Sequence, residues 1–143
     1  MTKSIFINLP VTDVARSAAF YAAIGFEPDA RFSGDGAAAL RWSDTITIML
    51  ASHDRYADLT PKRIIDAREA SGALFALGLD SRAAVDAISE AAVAAGGREL
   101  HGAEDHGFMY ARAFEDPDGH GFGPMWLDAG AFDAAMARPA GAA

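Results

Sequence analysis

Two groups of side chains in this sequence could do chemistry. Phe108, Tyr110, Arg112 and Phe114 recur at every second position, so one face of a strand would carry all four. A guanidinium set among aromatic rings could hold a carboxylate or another planar oxyanion in bidentate fashion. The second group is His101, Glu104, Asp105 and His106, whose imidazole and carboxylate atoms could bind a divalent ion or move protons. Each has a plainer alternative. Arg112 could equally form a structural ion pair with Glu115, Asp116 or another acid. The stretch from His101 to His106 lies in a loop rich in glycine and acids, and it reads as solvated surface. A Ser-His-Asp nucleophile elbow and a phosphate-cradling glycine loop are both absent from the pattern.

Composition narrows the partners. With no cysteine, disulfides, thiolate nucleophiles and thiolate zinc sites are excluded. A formal net charge of -8, with 12 basic residues that form no run, opposes binding to phosphate backbones and to anionic membranes. The opening residues lack the basic and apolar segments of a secretory signal, and no apolar stretch is long enough to span a bilayer, so a cytoplasmic location is expected. The 143 residues suit one domain.

The elements that must position these residues follow from periodicity. Ser4 to Leu9 reads as a strand ending at Pro10, and Thr12 and Asp13 offer helix caps. Val14, Ala18, Tyr21 and Ile24 form a helical stripe that Gly25 ends. Phe26 to Phe32, Ala37 to Trp42 and Thr45 to Ala51 then read as a meander. The order repeats: Ala73 to Leu79 as a strand, Ser81 as a cap, Val85, Ile88 and Ala92 as a helical face, Gly96-Gly97 as the stop. Strands follow at Arg98 to His101, Met109 to Phe114 and Gly121 to Leu127. Leu9-x-Val11-Thr12-Asp13 is echoed by Leu77-x-Leu79-Asp80-Ser81. The expected architecture is α+β: two βαβββ modules at 4–51 and 73–128 forming a curved mixed sheet around a cup, with helices outside. A linker or lid at 52–72, part of it a short helix, joins them, and a tail at 129–143 is expected to fray from Pro139 to Ala143. Gly121, Gly123 and Pro124 imply an edge, a bulge or a close ligand approach at the last strand.

With Asp13-Val14-Ala15-Arg16-Ser17-Ala18-Ala19-Phe20-Tyr21 in the first helix and Asp116-Pro117-Asp118-Gly119-His120 before the last strand, the chain resembles the vicinal oxygen chelate superfamily. That group includes glyoxalase I, extradiol dioxygenases, and the fosfomycin and bleomycin resistance proteins, so the resemblance covers several activities. Asp116-Pro117-Asp118-Gly119 has its own physical reading as a tight turn, with Gly119 at positive φ and His120 flanking it. Asp13 and Arg16 read as a helix cap and an ion pair at the surface or between the halves.

The resemblance implies metal-donor positions on the first and last strand of each half. Counted from the motifs, they fall on Phe6, Leu74, Met49 and Gly123, and the neighbours Ile5, Ile7, Ile48, Phe75, Phe122 and Pro124 supply no donor either. No metal and no cofactor are therefore expected. By alternation the cup is lined by Phe6 and Asn8 on the first strand, Thr47 and Met49 on the fourth, Leu74 on the fifth, and Phe108, Tyr110 and Arg112 on the seventh. Ala111 and Ala113 are assigned to the helix side. Asn8 could address a ligand or simply bond neighbouring backbone.

The leading expectation is a metal-free binder of a small molecule, anionic or aromatic, similar in plan to bleomycin resistance proteins and working as a homodimer. The second is a glyoxalase-like lyase or dioxygenase, using a nonstandard metal site or a metal-free acid/base mechanism drawn from the His101 to His106 loop, Tyr110 and Arg112. The third is a structural or interaction dimer.

Overall fold

The computed structural model describes residues 2–137 of the chain. The first module runs β1 (Ile5–Val11), α1 (Val14–Ala23), β2 (Glu27–Gly34), β3 (Ala37–Ser43) and β4 (Ile46–Ser52). Asp13 starts α1 by accepting the Arg16 N–H at 3.0 Å. After the β2–β4 meander the chain has closed back on its first strand, and β1 pairs parallel with β4. The second module repeats the plan with β5 (Leu74–Leu79), α3 (Arg82–Ala94), β6 (Arg98–Asp105), β7 (Met109–Glu115) and β8 (Gly121–Leu127). Ser81 caps α3 through the Ala84 N–H. The short helix α2 (His53–Ala57) lies in the linker.

The strands make two four-stranded mixed sheets, ordered β1-β4-β3-β2 and β5-β8-β7-β6, one from each module, as the expected α+β plan requires. Two expectations need correction. The expected tail at 129–143 begins as structure: Ala129–Met136 forms helix α4, capped by Asp128 and pinned where Phe132 meets Phe108 at 5.6 Å. Residues 139–143, expected to fray, lie outside the described residues. Pro124 marks neither an edge nor a bulge. Strand β8 is central, and its register with β7 stays constant while β7 does not pair at Pro124, which has no N–H to donate and pairs only with Leu77 of β5.

The helix-facing sides of both sheets share one core. Leu9, Leu40, Ile48 and Leu50 of the first sheet join Leu77, Phe114 and Phe122 of the second around α1 and α3. Phe20 and Tyr21 on α1 reach across to Phe114 and Phe122, with centroids 6.3 and 5.7 Å apart. Each buried ring contributes on the order of 1.5–3 kcal/mol. This shared core leaves one helix-free face on each sheet.

The turn before β8 locks the modules together. Asp116 Oδ1 accepts the N–H groups of Asp118 and His120, as its turn requires. Asp118 accepts from Thr12 and Ser17 of the first module, with Arg16 and Arg68 each 3.6 Å away. Arg16 thus pairs between the halves. Gly119 has φ +97, and a Cβ there would lie 2.6 Å from the backbone of Ala67 and Arg68, so only glycine permits this approach of turn to linker.

Candidate ligand-binding site

On the first sheet, Phe6 and Asn8 sit in register with Thr47 and Met49 on the helix-free face, while Ile7, Leu9, Ile48 and Leu50 turn into the core. Antiparallel pairing extends that face through Arg41 and Ala39 to Asp29. Asp29 is buried and receives the Arg31 guanidinium at 2.7 and 3.0 Å. That hydrogen-bonded pair holds its carboxyl down at about 2. Arg31 also lies over the Phe32 ring at 5.3 Å, and Phe32 meets Phe6 edge-on at 5.9 Å. The result is an aromatic corner with one polar pair beside it, and Phe6 remains 50% exposed.

On the second sheet, Leu74 lies on the helix-free face as expected, and it is 73% exposed. Its side chain crosses Gly121, where a Cβ would come within 2.7 Å of Leu74 Cδ2. The side chains of β7 run opposite to the expected alternation: Tyr110 and Arg112 reach toward Asp86 of α3 and Phe114 joins the core, while Ala111 and Ala113 line the open face, where Arg112 also borders the depression. Asp86 of α3 supplies the reason: Tyr110 Oη donates to it at 2.6 Å and Arg112 Nη1 at 3.0 Å, while Arg112 Nη2 reaches Glu99 at 3.2 Å. Long side chains fill the gap under the helix, and Asp86 satisfies their polar ends. The Tyr110 hydrogen bond and Arg112 hold the Asp86 carboxyl low, and the same bond pushes the Tyr110 hydroxyl up. Arg112 is therefore a structural ion-pair partner, though of Asp86 and Glu99; Glu115 pairs instead with Arg98 at 2.9 Å. Phe108 likewise leaves the cup and packs on Phe132 of α4.

What the open face of the second sheet does carry is a depression of about 390 Å³ whose lining includes Leu74, Met109, Met125, Ala111, His101 and Glu104. The stretch read as a loop is strand β6 as far as Asp105, and pairing places His101 opposite Ala113 and Glu104 opposite Ala111. Register shifts on either side of His101 break the alternation that would have revealed the strand in the sequence. His101 Nδ1 bonds the neighbouring Gly102 carbonyl at 2.9 Å, and Glu104 lies 3.7 Å from His106.

The implied metal positions can be tested directly. Phe6, Met49, Leu74 and Gly123 fall on the helix-free faces, and none offers a nitrogen or oxygen side-chain donor. Among the described residues no three His, Asp or Glu side chains converge in a metal-binding group. The donor set does not fit a divalent ion.

Comparison with known proteins agrees with this architecture. A family model described as Glyoxalase/Bleomycin resistance protein/Dioxygenase superfamily matches residues 4–123. No curated protein sequence matches the chain. Among solved structures, the hypothetical protein SA1046 from S. aureus superposes with TM-score 0.75 at 24% identity, covering 89% of this chain and 95% of that one. A glyoxalase/bleomycin resistance protein/dioxygenase family enzyme from Burkholderia phytofirmans PsJN gives 0.73 at 19% identity, covering 88% and 99%. A glyoxalase-related enzyme from Fulvimarina pelagi gives 0.73 at 20%, covering 88% of each chain. At these identities the likeness is one of fold.

Proposed function

The chain belongs to the glyoxalase/bleomycin resistance protein/dioxygenase superfamily, and from that premise we propose that it binds a small molecule on its helix-free sheet faces without a resident metal. One observation carries the reading: the positions where relatives of this fold would place metal donors are Phe6, Met49, Leu74 and Gly123, so the faces are kept while the ligating groups are not. Their apolar surface with a few polar groups suits a small organic ligand.

A homodimer is part of the proposal. Because the helix-facing sides share one core, the two open faces of a chain do not close on each other, and the depression on the second sheet is lined by that module alone. Exposed Phe6, Phe32, Leu74 and Leu100 favour covering by a second copy, which would complete the cup. No helix among the described residues is long and apolar enough to cross a membrane; the cytoplasm is the proposed location.

The enzymatic reading keeps one supporting observation, that His101 and Glu104 share the open face of the second sheet. Tyr110 and Arg112, which it also needs, are turned toward Asp86. Elemental analysis of purified protein with titration by zinc, manganese, iron and nickel separates the two. The binder takes up no stoichiometric metal and shows saturable stabilisation in a thermal-shift screen of small aromatics. One equivalent of tightly held metal overturns the proposal.

A further inference from the structure

A larger cavity of about 480 Å³ opens at the seam where the β1 edge, the start of β5 and the linker meet, touching the open face of the first sheet at Asn8. Its walls come from Ile7, Ile64, Ile65 and Phe75, and its polar lining includes Lys62 and Arg63. In a chain with 20 acidic and 12 basic residues, no Asp or Glu lines this cavity. Neither cation has an acidic partner among the described residues, in contrast with Arg16, Arg31, Arg41, Arg68, Arg82, Arg98 and Arg112, which all have one. Tyr56 also lines the cavity, and His120, another lining residue, is engaged with the Pro10 carbonyl at 2.7 Å.

We propose that this cavity is a second ligand site, centred on the linker beside the sheet faces, for an amphipathic monocarboxylate: the apolar body lies against Ile64, Ile65 and Phe75 and the carboxylate meets Lys62 and Arg63. The volume lies within the range of small-ligand pockets. Charge complementarity decides the class, because two adjacent cations without a local carboxylate favour an anion and disfavour a cation. Since β1, the linker and β5 all line the cavity, a ligand there bridges the two modules, and it stabilises the fold by mass action. This assignment does not depend on the role of the open faces.

Octanoate is the probe, with octanamide as its uncharged counterpart. In isothermal titration and backbone amide NMR of the full chain, octanoate is expected to bind saturably, octanamide at least about tenfold more weakly. The shifted amides are expected at 7–10, 56–65 and 73–75. The double variant Lys62→Gln/Arg63→Gln, whose side chains hold no ion pair, is expected to stay folded by circular dichroism and to lose about tenfold or more in octanoate affinity. The proposal is overturned if octanoate does not saturate, if octanamide or the double variant binds as well as octanoate does to the unmodified chain, or if the shifts centre on Met109 and Met125 of the second sheet.

Discussion

Tyr21 Oη donates a 2.6 Å hydrogen bond to Asp116 Oδ2, joining the first helix to the turn that precedes the last strand, 95 positions later. Both groups are buried. Burial, with the Asp116 carboxylate beside it, pushes the Tyr21 hydroxyl well above its ordinary value, so it stays protonated and keeps donating. The Asp116 Oδ1 atom is committed to its own turn, and Oδ2 is thereby aimed at the other module.

Tyr21→Phe keeps the ring packing and removes only this donor. The buried carboxylate oxygen loses its partner, so the variant is expected to unfold about 1–3 kcal/mol more easily. Urea denaturation followed by circular dichroism measures this, with the midpoint lowered and the slope unchanged.

Gly119→Ala and Gly25→Ala separate two costs. At Gly25, with φ +111, an added Cβ meets nothing within 4 Å, and the expected loss is the backbone strain alone, about 1–2 kcal/mol. At Gly119 the same strain is joined by a collision with the Ala67 and Arg68 backbone. The second variant is expected to be clearly the less stable in parallel thermal melts, and equal melting points would contradict the tight seat of the turn on the linker.

Asp29 titrates well below the ordinary carboxylate value of 3.8, at about 2. A depressed folded-state value means that its contribution to stability is present above about 3.8 and is lost as pH falls through about 2. Carboxyl carbon NMR of folded protein is expected to show a midpoint near about 2 for Asp29. Arg31→Ala is expected to return that midpoint toward the ordinary value.

Arg112 stands between Asp86 and Glu99, which are both partly exposed. A double-mutant cycle of Arg112→Met and Asp86→Asn is expected to give a coupling of about 1 kcal/mol that weakens with added salt. Ligand titrations of the first sheet's open face are expected to be unaffected by Arg112→Met, because Arg112 lies on the second sheet.

Local chemistry made much of the framework legible. Asp13 and Ser81 as caps, Gly25 and Gly96 at helix ends with φ +111 and +105, and the Asp116 to Gly119 turn all follow from short-range rules that neighbours in the chain satisfy. On β1 and β4 the faces are readable too, since large apolar residues alternate at Ile7 and Leu9 and at Ile48 and Leu50 on the core side.

Strand β7 could not be read the same way. Alternation divides Phe108, Tyr110, Arg112 and Phe114 from Ala111 and Ala113, but period two is unchanged when the faces are exchanged. The choice was made by Asp86, which α3 carries to within 2.6 Å of Tyr110 and 3.0 Å of Arg112. By itself the sequence determined the module repeat, the caps and turns, and the lack of metal donors at Phe6, Met49, Leu74 and Gly123, because these depend on residue type and near neighbours. Which face of β7 is open, that His101 and Glu104 join it, and that Lys62 and Arg63 border a cavity were decided only by tertiary structure, because each depends on a partner far away in the chain.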